Sequence, residues 1–281
     1  MTTQRKHPLL KRLNRLIIYA LILLAVLLSV APILYLFITS LKEPELAFAI
    51  PPVWNFTPTL RNYKEVVSST RFDRYFFNSV VVALSTTAIA LALGSLAAYG
   101  FSRFRFRGHF WLRMSTLIPQ MLPPITIVVP LYVIFSGINW VDTRQALIVS
   151  YLTFTVPLSI WMMIGFFDDV PVELEEAAMI DGCSRLQALL RISLPLALPG
   201  MAATAILCFL YCWNEFLYAV ILTGREARTL PVTITAFMTN RSVFWGRIAA
   251  SGSLVLIPVL IFALLAQRYL VRGLARGAVK G

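Results

Sequence analysis

Asp168–Pro199 reads DDVPVELEEAAMIDGCSRLQALLRISLPLALP and holds six of the chain's thirteen acidic residues: Asp168, Asp169, Glu173, Glu175, Glu176 and Asp181. Long apolar runs lie on both sides of it. So much charge is costly inside lipid, so the segment must project from a membrane that the flanking runs cross. Its local grammar is helix–turn–helix. Pro171 suits a first helical turn, with Asp169 before it as a cap. Leu174, Ala177, Ala178 and Asp181 then share one face. Gly182 supplies a left-handed stop. Ser184 and Gln187 make an S-x-x-Q capping box for a second short helix. Leu186, Leu189 and Leu190 are expected on its apolar side, and Pro195 and Pro199 are expected to end it.

The rest of the composition agrees with a membrane setting. Of 281 residues, 58% are hydrophobic and 14% charged, and the mean hydropathy is +0.76. That describes an all-α polytopic membrane protein with no room for a large second domain. The net charge of +12 reads as basic membrane-flanking loops rather than a nucleic-acid surface. Cys183, Cys208 and Cys212 have no metal spacing, and no metal site is expected.

Six apolar runs are legible. A basic segment, 1–15, precedes Leu16–Ile38, which is 23 residues without a charge. A signal peptide ending near Ala31 competes with an uncleaved first span. Apolarity continues to Ile38 and further runs follow, which favours the span. Residues 39–74 form a compact, Pro-rich extracytoplasmic loop in which Trp54 and Phe56 are expected as aromatic anchors, at the membrane interface or against a partner. Tyr75–Ser102 is the second span, rich in small residues. Arg103, Arg105, Arg107 and Arg113 form the next loop. Met114–Val141 contains Pro119, Pro123, Pro124 and Pro130, so it cannot be a straight helix. Gln120 and Thr126 there face a cavity, or else the run is only a kinked packing helix. Gln145–Phe167, Leu196–Thr223 and Ile248–Gln267 complete the set. With the N-terminus inside, cytoplasmic segments carry fifteen Lys and Arg and the outer loops ten. This bias puts 168–195 and both termini in the cytoplasm.

Catalytic motifs are missing. No G-x-x-x-x-G-K-[ST], H-E-x-x-H or G-x-S-x-G occurs, and His7 and His109 are the only histidines. No catalytic residue is expected. The one carboxylate deep in an apolar run is Glu215, within Cys212-Trp213-Asn214-Glu215-Phe216. It must face protein, water or a pathway. It either lines or gates a path, or clamps a neighbouring helix.

Glu176-Ala177-Ala178, Gly182 and Ile192-x-Leu194-Pro195 together resemble the EAA---G---------I-LP loop of binding-protein-dependent ABC transporter permeases. Trp213-Asn214-Glu215 is similar to the W-N-E/D segment of the sugar-type, maltose-permease branch. So are Pro51-Pro52 with Phe56–Tyr63, Asn78-Ser79, and the C-terminal stretch from Gln267 to Gly281. Cys183 departs from the family, which usually has Ala after the glycine.

The resemblance implies a six-helix importer permease of the MetI-like fold: a single permease domain, 16–281, carrying a cytoplasmic coupling loop, 168–195. It implies a bacterial inner-membrane location, a homologous second permease, two ATPase subunits and an extracytoplasmic solute-binding protein. ATP and Mg would bind the ATPase, leaving this chain without a cofactor. Glu176, Ala177, Ala178, Asp181, Gly182, Leu186 and Pro195 would contact the ATPase. Trp213, Asn214, Glu215 and Tyr218 would line the pathway of a sugar, oligosaccharide or sugar alcohol. A permease for another solute remains open, as does a lone secondary transporter. The latter would show inverted repeats and several intramembrane charges.

Overall fold

The computed structural model describes residues 8–239 and 242–278. Arg5, Lys6, His7, Arg241 and the terminal Val279-Lys280-Gly281 lie outside them. The described residues are helical apart from loops and one isolated antiparallel bridge, Met238 to Val243. Among the described residues, four helical stretches are long and apolar enough to cross a membrane: Asn14–Ser40, Phe72–Arg103, Arg144–Asp168 and Trp245–Leu264. Two bent pairs bring the number to six if each is one span: His109–Met121 with Pro124–Gly137, bent by 88°, and Arg185–Leu196 with Leu198–Asn214, bent by 77°.

The chain divides into two compact units, residues 1–69 with 237–254 and residues 70–236 with 255–281. In the first, α1 (Pro8–Ser40) begins inside the basic segment and exposes its apolar side chains along Leu16–Leu34. Its last carbonyls are met by a side chain: Asn62 Nδ2 donates to Ser40 O at 3.0 Å and to Lys42 O at 2.7 Å. Asn62 sits on α2 (Arg61–Ser69), beside Gly246, where a Cβ would lie 2.6 Å from Asn62 Oδ1. Trp54, 66% exposed, and Phe56 meet a partner within the chain. They surround the buried Lys42 ammonium with Tyr35, their centroids 5.4–5.8 Å from Nζ, so the charge is held by ring faces.

The second unit is built on α3 (Phe72–Arg103) packed along α7 (Arg144–Asp168). Gly94 permits the approach, since a Cβ there would fall 2.3 Å from Ser159 Cβ. This is the small-residue contact by which membrane helices pack. The proline-rich third run becomes α4 (His109–Ser115), α5 (Ile118–Met121) and α6 (Pro124–Gly137). Pro124 starts α6 because a first-turn proline has no N–H to lose.

The acidic segment forms α8 (Val172–Ile180) and α9 (Arg185–Ala188), then a π turn, Leu189–Ser193, and α10 (Leu194–Leu196). Two local expectations change. Pro171, not Asp169, occupies the cap of α8, whose N-terminus has no side-chain cap bond. Pro195 does not stop the second helix. The π turn absorbs the lost N–H, and the break comes at Ala197. Leu189 is buried, but Leu186 and Leu190 are exposed, so that helix buries one leucine of the expected three.

The fifth run is α11 (Leu198–Asn214) and α12 (Leu217–Leu222), broken at Glu215-Phe216 rather than continuous. A 3₁₀ stretch, Leu230–Phe237, follows, and then α13 (Trp245–Ala278).

Candidate functional site

A cavity of about 730 Å³ lies in the second unit, and both interrupted helices open onto it. Pro119, Gln120, Leu122 and Pro124 come from the α5–α6 break, and Asn214, Glu215, Phe216 and Leu217 from the α11–α12 break. Tyr218, Phe154 and several leucines complete a wall that is mostly apolar with a few polar groups, as small-molecule sites are. Non-helical backbone at membrane depth survives only where its polar groups find partners. Here two adjacent side chains provide them. Asn214 Nδ2 donates to the Leu210 carbonyl at 2.9 Å. The Glu215 carboxylate accepts the N–H of Tyr218 at 3.0 Å and of Ala219 at 3.1 Å, capping the open start of α12.

The four residues singled out for a pathway therefore separate. Asn214, Glu215 and Tyr218 line the cavity. Trp213 does not. It is 2% exposed, packs against Phe209 and Phe76, and donates Nε1–H to the Val255 carbonyl of α13 at 3.2 Å. Trp213 thus reaches a neighbouring helix, and Glu215 caps the next turn of its own chain. Gln120 lines the cavity and Thr126 does not; its hydroxyl donates to the Pro123 carbonyl at 2.7 Å.

A second cluster lies around the acidic segment. α8 ends in a left-handed Gly182 with φ of +93°. Gly182 N–H bonds Met179 O at 3.1 Å and Cys183 N–H bonds Ala178 O at 2.9 Å, the paired closure of a Schellman motif. The Ser184–Gln187 capping box is formed as the spacing predicts. Glu176, Ala177, Asp181, Gly182, Leu186 and Pro195 are exposed, and Ala178 is partly so.

Glu175 points the other way and is 3% exposed. Its carboxylate accepts from Tyr99 Oη at 2.8 Å, Arg103 Nε at 2.8 Å and Ser193 Oγ at 2.5 Å. Burial pushes this carboxyl up, but the bonds from Ser193, Arg103 and Tyr99 outweigh it and hold the group below its ordinary range. Arg103 is therefore a buried ion-pair partner, not a free loop charge.

At the other end of α3, Asn78 Nδ2 donates to the carbonyls of Glu226 at 2.8 Å and Arg228 at 2.9 Å, and Arg144 Nε donates to Asn78 Oδ1 at 2.7 Å. Asp142, at φ +62°, accepts the N–H groups of Arg225, Glu226 and Ala227. Burial raises its carboxyl, and the backbone donors Ala227, Glu226, Gly224 and Arg225 bring it below the ordinary value. Glu175 lies within the loop that carried the resemblance and Asn78 in another such stretch, whereas no resemblance pointed to Arg103 or Asp142.

Residues 90–276 match the family described as binding-protein-dependent transport system inner membrane component. The trehalose/maltose transport system permease protein MalG of Thermococcus litoralis is 37% identical over 280 residues, which are 98% of this chain and 99% of that protein. The trehalose transport system permease protein SugB of Mycobacterium tuberculosis is 39% identical over 257 residues, covering 90% of this chain and 93% of that one. Among solved structures, a chain of a bacterial ABC transporter involved in the import of the acidic polysaccharide alginate superposes with a TM-score of 0.73 at 22% identity. It covers 96% of this chain and 99% of its own, so the fold is the one the resemblance implied.

Proposed function

We propose that this chain, which belongs to the binding-protein-dependent transport system inner membrane component family, forms half of the translocation pathway of an ATP-driven ABC importer for a sugar, oligosaccharide or sugar alcohol. It is a multi-pass inner-membrane permease and not an enzyme. A homologous second permease completes the path, two ATPase subunits bind and hydrolyse ATP with Mg, and an extracytoplasmic binding protein delivers the solute. Both termini and 168–195 face the cytoplasm.

The observation that carries this reading is the meeting of two helix breaks at one cavity, in the same unit as an exposed EAA-type helix pair. The exposed face of α8 seats in the ATPase. Ala177 and Ala178 let the surfaces approach, and Glu176 and Asp181 select the partner by charge. Nucleotide-driven closure of the ATPases displaces α8, and packed helices convert that displacement into inward or outward opening. At the cavity, the ring faces of Phe154 and Tyr218 suit the apolar faces of a sugar, and Asn214 and Gln120 suit its hydroxyls. The fixed Glu215 cap keeps the break open without exposing bare backbone.

The test is reconstitution of the whole importer in vesicles, followed by uptake and substrate-stimulated ATP hydrolysis across a panel of sugars and polyols. Stimulation by at least one of them, with uptake, is expected. Stimulation by only a non-sugar solute removes the substrate class. Accumulation by this chain alone, without ATP, removes the importer assignment. Orientation is checked by labelling cysteines introduced at Leu60 and Arg276 in intact cells. Only position 60 should react, and reaction at position 276 overturns the topology.

A further inference from the structure

The proposed docking face uses Glu176 and Asp181 and leaves Glu175 without a role. Yet Glu175 is the acidic residue of the segment that the fold buries most deeply. Its Arg103 partner is equally enclosed, the two side chains being 4% and 7% exposed. Three separate pieces of chain converge on the pair. Tyr99 and Arg103 are one turn apart at the C-terminal end of α3. Arg103 Nη2 also donates to the carbonyl of Val170, in the connection from α7 to α8, at 2.9 Å. Ser102 Oγ donates to Asp168 Oδ1 at 2.5 Å, closing the same connection. Ser193 comes from the π turn, where one extra residue per turn displaces the helix wall.

α8 is continuous in sequence with α7 on one side and with the α9–α11 segment on the other. Nothing in the chain order ties it to α3. The Glu175 cluster is that tie. Parting the two groups would leave opposite charges buried without partners, the state that buried pairs resist most. The tie is therefore stiff where a loop of a few residues is not.

We propose that Glu175 is a positioning residue that makes α8 and the C-terminal end of α3 move as one body, so that a displacement imposed on α8 is delivered to α3 directly. This rests on the reading of α8 as the ATPase-docking helix. Through the Gly94–Ser159 contact α3 carries α7 with it, so the tie distributes the stroke over the packed pair.

Two measurements on the complete importer test this. Spin labels at Ile180, 86% exposed on α8, and Leu96, 53% exposed on α3, report the separation directly. The expected distance is the same in nucleotide-free and nucleotide-trapped complexes. A shift beyond the width of the label distribution overturns the proposal, and this reading needs no change at Glu175. The second measurement compares Glu175→Asp with the paired substitution Glu175→Gln and Arg103→Gln, which removes both charges together. The paired variant should retain bound ATPase and ATP hydrolysis while solute uptake per ATP falls about tenfold, within the usual range of inter-site coupling. Glu175→Asp should keep most of the parental ratio. A parental ratio in the paired variant overturns the proposal. If the paired variant does not assemble, the spin-label distance decides alone. Ala178→Trp tests the underlying docking reading by itself: it should release the ATPase, and an ATPase that stays bound refutes docking whatever the coupling ratio shows.

Discussion

Glu175 takes hydrogen bonds from side chains 76, 72 and 18 positions away in the chain, whereas Glu215 accepts backbone N–H groups three and four residues ahead. The first carboxylate joins distant segments and the second repairs a local break. Glu175 is surrounded by other acids in the sequence and enclosed in the fold. Glu215 is isolated in an apolar run and half-buried at a cavity wall. The contrast teaches that an ionisable residue in a membrane protein has two distinct uses. One sets which helices move together. The other lets a helix stop at the wall of a cavity.

The largest expected effect comes from leaving half of the long-range pair. Arg103→Ala strands a buried carboxylate and should cost about 3–5 kcal/mol, read as lost monodisperse protein and a lower melting temperature in detergent. A cost under about 1 kcal/mol would mean that the pair behaves like a surface ion pair.

The local carboxylate should matter less to stability. Glu215→Ala leaves the Tyr218 and Ala219 N–H groups without their acceptor and should cost about 1–3 kcal/mol. Glu215→Gln keeps an acceptor and should recover much of that. If uptake falls equally in both variants while only the alanine variant melts early, the charge itself acts in transport. If uptake tracks melting, Glu215 is solely a cap.

Gly182 tests the turn between the two short helices. At φ +93° a Cβ is strained although no atom lies within 4 Å of it. Gly182→Ala should therefore cost about 1–2 kcal/mol through the backbone alone, checked by melting and by retention of the ATPase. Gly182→Asn, better tolerated in that region, should cost less than alanine does.

The smallest effect is a pH dependence. The Glu175 carboxyl is held below its ordinary value of 4.5 in the folded protein. A depressed group gives its full stabilisation above the unfolded value and loses it as pH falls through the folded one. Melting temperature should not change on this account from neutral down to about pH 4.5, and should fall at lower pH. Asp142 and Glu65 are depressed as well and add to the same acid limb. Substituting Glu175 by Gln should make the limb shallower, and an unchanged limb would assign it to the other two.

The acidic segment was readable because its signals are local. Gly182 needs a left-handed turn, Ser184–Gln187 close a box over one turn of helix, and both interactions span only a few residues. Its faces were less readable. The apolar residues Leu186 and Leu190 are exposed, and the charged Glu175 is buried, because burial there is decided by which side of α8 meets α3. The prolines of the third run announced a break, and Pro124 stands at it. The break at Glu215-Phe216 had no proline or glycine to announce it.

Composition, the apolar runs and the EAA–glycine–Leu-Pro pattern by themselves determined a membrane permease, the number of its apolar runs, and which charged segment lies between them. Those features follow from the cost of placing charge and unbonded backbone in lipid, which acts residue by residue along the chain. Tertiary structure alone decided that Arg103 and Glu175 meet, that Trp213 turns inward to Val255, and that the two helix breaks share one cavity. Each of these depends on a partner far away in sequence, brought close by how α3, α7 and α11 pack, and nothing in the local run of residues records that distance.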